Sequence, residues 1–446
     1  MFIDFLINIF EQNKQKNAFI WKNTVFTYGE LLENYAQMTD YVTKNDIEDG
    51  TVVAVEGDFS PLSTALILTL IEKSCIVVPL TESVKHRKND FLRIAQVQTI
   101  ITFDKEENIS INRMQCILNS EILNTLKECK HPGLILFSSG STGQCKAAVH
   151  DFASILEKYK TLRKTKKMLT FLMFDHIGGI NTLLHNLSNA GCVITVQDRS
   201  PDGVLAIVEK YSVEVLPVSP TFINLILLSE AYKNYDLSSL EVVSYGTEVM
   251  PESTLERFHK LFPHIRLLQT YGLSELGIMR SKSESSDSLW VKVGGEGYET
   301  RIVDGMLEIK ARSAMLGYLN APSPFTEDGW FKTGDAVETK GEYYKFLGRK
   351  SELINVGGEK VYPTEIESVI MQMDGVKDIA VRRKKHPFIG NMVFASVNLS
   401  SGESLSQFRI RMRAYCKGKL DNFKIPQKVA LMEGQLHSNR FKKIRK

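Results

Sequence analysis

The sequence predicts an α/β protein: a large N-terminal domain of layered α/β sheets with a β-rich appendage, then a small, mobile α+β C-terminal domain. Three observations carry this. Short β-branched runs alternate with helix-length amphipathic segments through the first half and beyond; from Leu289 the texture changes to short strands with glycine-rich turns; and the last stretch has β and α signals of its own. The predicted domains are 1–347 and 348–446.

At the N-terminus, Phe2, Phe5, Leu6 and Phe10 recur at i, i+3, i+4 spacing with Asp4 early and no basic leader. That spacing predicts a packed helix and not a signal peptide. Residues 51–55 (TVVAV), 76–80 (IVVPL), 99–103 (TIITF), 133–137 (GLILF), 192–196 (CVITV) and 213–218 predict strands. Residues 28–45, 60–73 and 219–231 predict helices between them, and this alternation argues largely parallel sheets. The appendage starts in VKVGGEGYETRIVDGMLEIKA; the small domain has strands in IAVRRKK and MVFASVNL and a helix over 404–419, with the polar GRKSE segment at 348–352 as hinge.

Charge and composition exclude several classes. The 55 Lys and Arg against 52 Asp and Glu leave +3 over 446 residues, too little for binding to rest on unspecific attraction to nucleic acid or anionic lipid. With 43% hydrophobic and 24% charged residues the chain can bury a core. The cysteines (75, 116, 129, 145, 192, 416) are scattered, without C-x-x-C or zinc spacing, so a reducing cytoplasm is expected. The longest apolar stretch, 64–80, is broken by Glu72, Lys73 and Pro79, so no membrane span is expected.

The chemistry concentrates after the strand at 133–137, in Ser138-Ser139-Gly140-Ser141-Thr142-Gly143-Gln144-Cys145-Lys146. Glycines let backbone N–H groups approach oxyanions, hydroxyls donate, and Lys146 adds a point charge, which suits a polyphosphate. The spacing is not that of a Walker A loop, because Ala147 follows the lysine where a hydroxyl is required.

This loop resembles the phosphate loop of the adenylate-forming superfamily, which includes acyl-CoA synthetases, luciferases and the adenylation domains of peptide synthetases. Cys145 stands where that family has proline. The resemblance continues in order through Tyr271-Gly272-Leu273-Ser274-Glu275, Thr333-Gly334-Asp335, and the segment from Gly348-Arg349 through Gly357-Gly358 to Glu367. It covers nearly the whole chain. It implies that Glu275, a hard oxygen ligand, holds Mg²⁺ with Thr142; that Tyr271 stacks on adenine opposite Gly246-Thr247-Glu248; and that Asp335, assisted by Arg349, accepts the ribose hydroxyls. Ser138, Ser139, Gly140, Ser141, Gly143, Gly272 and Ser274 complete the implied ATP site. Ser351 is the implied hinge, and Gly357 and Gly358 the wall of a thiol tunnel.

Laid without gaps on the family's C-terminal motif, the tail places Lys443 on the catalytic lysine, with Lys442 as the alternative register. His176, in Phe174-Asp175-His176-Ile177-Gly178-Gly179, resembles an acyl-tunnel gate; taking Phe174 as the gate would instead put Asp175 on an amine-binding position. The implied activity is ATP-dependent ligation of a small-molecule carboxylic acid through an acyl-AMP to a thiol. Coenzyme A is the expected acceptor, with a phosphopantetheinyl acyl carrier protein the alternative; a non-enzymatic acyl- or nucleotide-binding relative is the third possibility.

Overall fold

The computed structural model describes residues 1–139, 145–386, 390–400, 402–432, 434, 436–438 and 440–445. Two seven-stranded sheets and the helices between them form the body of a large N-terminal domain. In one sheet, Thr99–Phe103, Val52–Glu56, Ile76–Leu80 and Gly133–Ser139 run parallel, and the last turns back into the antiparallel strand Cys145–Asp151. In the other, Arg266–Gln269, Val242–Tyr245, Val215–Val218, Met168–Thr170, Val193–Thr195 and Asn17–Trp21 are parallel neighbours. Val52 to Val55 are buried without alternation, as expected of a strand covered on both faces.

Helix Pro61–Glu72 starts where Ser60 Oγ accepts from Ser63 N and proline occupies the first turn. It is buried continuously from Ser63 to Ile71, and a helix apolar all round belongs inside. With helix Ile177–Leu187 it fills a core shared with Phe10, Phe19, Val53 and Phe174, drawn from both sheets. The N-terminal helix Asp4–Gln12 docks there through Leu6 and Phe10, and Phe2 N and Ile3 N donate to Glu72 Oε2.

Strands 76–80 and 99–103 form over the predicted residues, and 51–55 shifts by one. The hairpin of Asn17–Trp21 with Thr24–Thr27 and the strands Met168–Thr170, Val242–Tyr245 and Arg266–Gln269 were not expected. Runs of three to five residues are too short to show a period, and Met168 follows a lysine-rich segment.

The appendage is a six-stranded antiparallel sheet. Its hairpin Phe331–Lys340 with Tyr343–Arg349 sets Asp335 opposite Arg349 and delivers the chain to the small domain. There, Val376–His386, Gly390–Leu399 and Lys428–Leu431 form a sheet packed with helices Pro363–Ile370 and Leu405–Cys416 around Ile366, Ile379, Val393 and Phe408. No helix among the described residues is long and apolar enough to cross a membrane.

Candidate active site

One cavity of about 2240 Å³ is walled by both sheets of the large domain, the appendage, the small domain and the C-terminal tail. Gly140, Ser141, Thr142, Gly143 and the Ser139 side chain lie outside the described residues; the strands flanking that loop pair Ser138 with Lys146. Ser138 Oγ donates to Glu275 Oε1 at 3.3 Å, and Tyr318 OH donates to the same oxygen at 2.7 Å. Lys146 Nζ stands 5.0 Å from the Tyr318 ring centroid. Loop stem, lysine and carboxylate therefore converge, and Glu275 Oε2 makes no bond to the described residues.

The turn carrying Glu275 is tight. A Cβ on Gly272 would lie 2.4 Å from Ile278 Cδ1 and 2.7 Å from Gly277 O, so only glycine fits. His150 fixes the turn from behind: its Nε2 is 2.6 Å from Ser274 O. Burial lowers the pKa of His150, so the ring is neutral, and because a carbonyl only accepts, Nε2 carries the proton.

Asp335 is nearly buried, accepting from Tyr271 OH at 2.6 Å and facing Arg349 Nε at 3.2 Å. Burial raises its pKa, opposed chiefly by Arg349. The Tyr271 ring, expected against a base, stacks on Phe346 with centroids 4.5 Å apart and is itself nearly buried; Gly272 to Glu275 line the cavity beside it. Gly246 and Thr247 follow strand Val242–Tyr245 on the cavity wall. Thr247 holds φ at +74°, a costly conformation for a β-branched residue, and its Oγ1 is buried without a partner among the described residues. Glu248 is committed elsewhere: Oε1 accepts from Thr221 N at 2.9 Å and Oε2 from Lys443 N at 3.1 Å.

The tail folds back as a small hairpin, Ser438 N donating to Lys442 O and Ile444 N to Leu436 O. Phe441 turns at φ +50° and packs onto both Phe171 and Phe222, each 5.1 Å away between centroids, while Ser219 Oγ donates to its carbonyl at 2.6 Å. Arg440 NH2 meets Asp175 Oδ2 at 2.6 Å. Beyond the turn, side chains alternate as in a strand. Lys443 Nζ bonds Asp378 Oδ1 at 2.7 Å and Ile379 O at 2.9 Å, and Arg445 forks onto Glu367 at 2.8 and 2.9 Å, both within the small domain. Lys442 takes the opposite side, among Arg349, Glu248 and Glu275. Both lysines line the cavity, but Asp378 and the Ile379 carbonyl hold the Lys443 ammonium in the small domain, so this arrangement favours the alternative register, Lys442, over the gap-free one.

His176 caps helix Ile177–Leu187, its Nδ1 accepting from Gly178 N at 3.1 Å. Burial, with Lys442 and Arg440 nearby, lowers its pKa well below the ordinary value and keeps it neutral. Phe174 is fully buried against Phe59 and Asp175 is spent on Arg440 and Thr81. Of the two candidate gates, only His176 lines the cavity.

The sequence profile described as AMP-binding enzyme matches residues 8–318, and that of the AMP-binding enzyme C-terminal domain matches residues 365–443. The chain belongs to the AMP-binding enzyme family. It is 25% identical to the indoleacetate–CoA ligase of Aromatoleum aromaticum over 71% of its own length and 66% of the relative's. It is 24% identical to the 2-succinylbenzoate–CoA ligase of Listeria monocytogenes, with 96% of each chain covered. The chain thus spans less than two thirds of the length of some curated relatives it matches. The crystal structure of an anthranilate CoA ligase with anthranoyl-AMP shares the fold: TM-score 0.84 at 17% identity, covering 100% of this chain and 95% of that one.

Gly357 and Gly358 of this AMP-binding enzyme are not drawn into the cavity. Gly357 and Gly358, at φ +60° and +100°, form the tip of the hairpin Ile354–Val356 with Glu359–Val361, in open space and away from the cavity wall. Ser351 is exposed in a turn where Lys350 N donates to Gly334 O and Glu352 N to Arg349 O, at the cavity edge. Sequence reasoning missed His150, Tyr318 and Arg440. Only Arg440 had a local signal, as part of the basic tail; the other two are recognisable through contacts across 124 and 43 residues.

Proposed function

We propose that this AMP-binding enzyme is an ATP-dependent carboxylic-acid ligase. The acid's carboxylate oxygen attacks the α-phosphate of ATP, the α–β phosphoanhydride bond breaks, and pyrophosphate leaves with the bond's electrons. The thiol of coenzyme A then adds to the acyl carbonyl of the acyl-AMP and expels AMP. The supporting observation is the convergence of Lys442, Lys146 and Glu275 on one cavity although they come from three separate segments.

Each residue's role follows from its chemistry. Lys146 and Lys442 supply fixed positive charge where negative charge grows on phosphate, which lowers the barrier electrostatically and needs no proton transfer. Ser138 and the loop through Thr142 and Gly143 cradle the phosphates, Asp335 with Arg349 accepts the ribose hydroxyls, and Gly246, Thr247 and Gly272 to Ser274 wall the nucleotide. The uncommitted Glu275 Oε2 fits Mg²⁺, which is usually held by one or two carboxylates together with substrate phosphates. When bound, the ion supplies further neutralisation of phosphate charge. His176, neutral and capping its helix, sits at the entrance to the acyl end.

Coenzyme A is preferred to a carrier protein because the relatives are named CoA ligases. Arg382 and Arg383 on the cavity wall could also receive its phosphates. The boundary at 347/348, the Ser351 hinge and a thiol path past Gly357 and Gly358 belong to the same proposal. With MgATP and fatty, aryl, short-chain and amino acids offered in turn, AMP and pyrophosphate are the expected products. ADP and orthophosphate would overturn the proposal.

A further inference from the structure

One part of the cavity wall carries charge that this mechanism leaves unused. Helix Ile177–Leu187 runs away from His176, and Asn181 and His185 on it line the cavity. Lys158 reaches across to that helix, its Nζ 2.8 Å from Asn181 Oδ1 and 3.1 Å from Ile278 O, both neutral acceptors. Tyr159 OH donates to the same Asn181 oxygen at 2.9 Å, fixing the amide from two sides. An ammonium has three donors and Lys158 uses two; no carboxylate among the described residues pairs with it.

Its charged neighbour is another cation. Arg163 stands near Lys158 and also near Arg280, and neither guanidinium has an acceptor among the described residues. All three side chains line the cavity. Burial, reinforced by Arg163, lowers the pKa of Lys158 to about 7. Unpaired like charges crowded at a cavity wall are unfavourable until an anion arrives, and a lysine with two guanidiniums offers a point charge beside planar forks that match a carboxylate. Asn181 lies five positions beyond His176, about 7.5 Å along the helix at 1.5 Å per residue.

Resting on the ligase proposal, we infer that the acid activated here carries a second carboxylate, received by Lys158, Arg163 and Arg280 at the opposite end of the acyl pocket from the reacting one. The cluster is built wholly from the large domain.

The test compares the dicarboxylates from succinate to suberate, and 1,4-phenylenediacetate, each with its monomethyl ester, which keeps the length and removes one charge. Pyrophosphate release gives kcat/KM, and calorimetry without nucleotide gives binding. At least one diacid is expected to exceed its ester by roughly 10- to 100-fold, the worth of one charge-assisted hydrogen bond. That ratio should collapse toward one in Arg163→Gln, an exposed position that spares the core, and in Lys158→Met. Equal turnover of diacid and ester, a parallel loss of both in the variants, or a change confined to the KM for coenzyme A overturns the inference and leaves the ligase proposal standing. If a diacid binds to the wild type and not to Arg163→Gln, yet no acid yields AMP, the anion site stands and the ligase proposal falls. No preference for any diacid in either assay overturns the inference.

Discussion

Adjacent lysines in an extended segment point to opposite sides, and this separates Lys442 from Lys443. Both line the cavity, but the Lys443 ammonium is bound by Asp378 and the Ile379 carbonyl, whereas that of Lys442 has no hydrogen-bond partner among the described residues. Burial, with Arg349 adding repulsion, lowers the Lys442 ammonium to about 8, against the opposing pull of Glu248. A lysine is charged below its pKa, so the charge offered to phosphate is present at neutral pH and lost as pH rises through about 8. Because kcat/KM reports the free enzyme, its value for ATP should fall over that range, and Lys442→Ala should abolish the alkaline limb. An unchanged limb in the variant would place the titration on another group. The family resemblance pointed to a lysine of this tail; which one is presented depends on the turn at Phe441 and on Asp378, neither of which leaves a mark in the local pattern.

The terminal hairpin is held by a few contacts of different kinds. On the large-domain side these are the Phe441 ring, the Arg440–Asp175 pair and the Ser219 hydroxyl. Truncating Phe441 to alanine should cost about 1–3 kcal/mol of docking. Pyrophosphate release is then expected to drop roughly 5- to 100-fold with the melting of the large domain unchanged, since the ring is grafted onto a core that is complete without it. On the small-domain side Arg445 forks onto Glu367, which is 1% exposed. Burial alone would raise the Glu367 pKa, yet pairing with Arg445 and with Val381 N holds it below the ordinary value. Its stabilisation is therefore present above the unfolded carboxylate pKa and lost as pH falls through the lower folded one. Arg445→Met strands a buried carboxylate, and thermal unfolding should show the small domain destabilised by about 3–5 kcal/mol. A shift within error would mean that Glu367 finds another partner or a proton. The helices expected over 28–45 and 60–73 were legible to within a residue of the observed Tyr28–Lys44 and Pro61–Glu72, whose first turns Thr27 with Glu30 and Ser60 with Ser63 close. The short strands were not, since sheet neighbours decide them.

Across the whole molecule, the layered architecture and the small terminal domain were readable from the alternation of strands and helices, whereas the docking of the domains was not. The structure holds the tail in the site and the Gly357–Gly358 tip away from it, an arrangement suited to adenylation; thioester formation would then require the small domain to turn about residues near Ser351. Ser351→Pro fixes one φ near −65° and restricts Lys350 as well. It should impair thioester transfer more than pyrophosphate release, and an equal loss in both would place the pivot elsewhere. The most direct test separates the half-reactions in two alanine variants once an accepted acid is known. Lys442→Ala should lose pyrophosphate release by roughly 100-fold or more, as expected for removal of a charge that meets the transition state, while converting presynthesised acyl-AMP and coenzyme A to thioester at the wild-type rate. If Lys443→Ala shows that pattern instead and Lys442→Ala is harmless, the arrangement of the tail described above does not represent the adenylating enzyme.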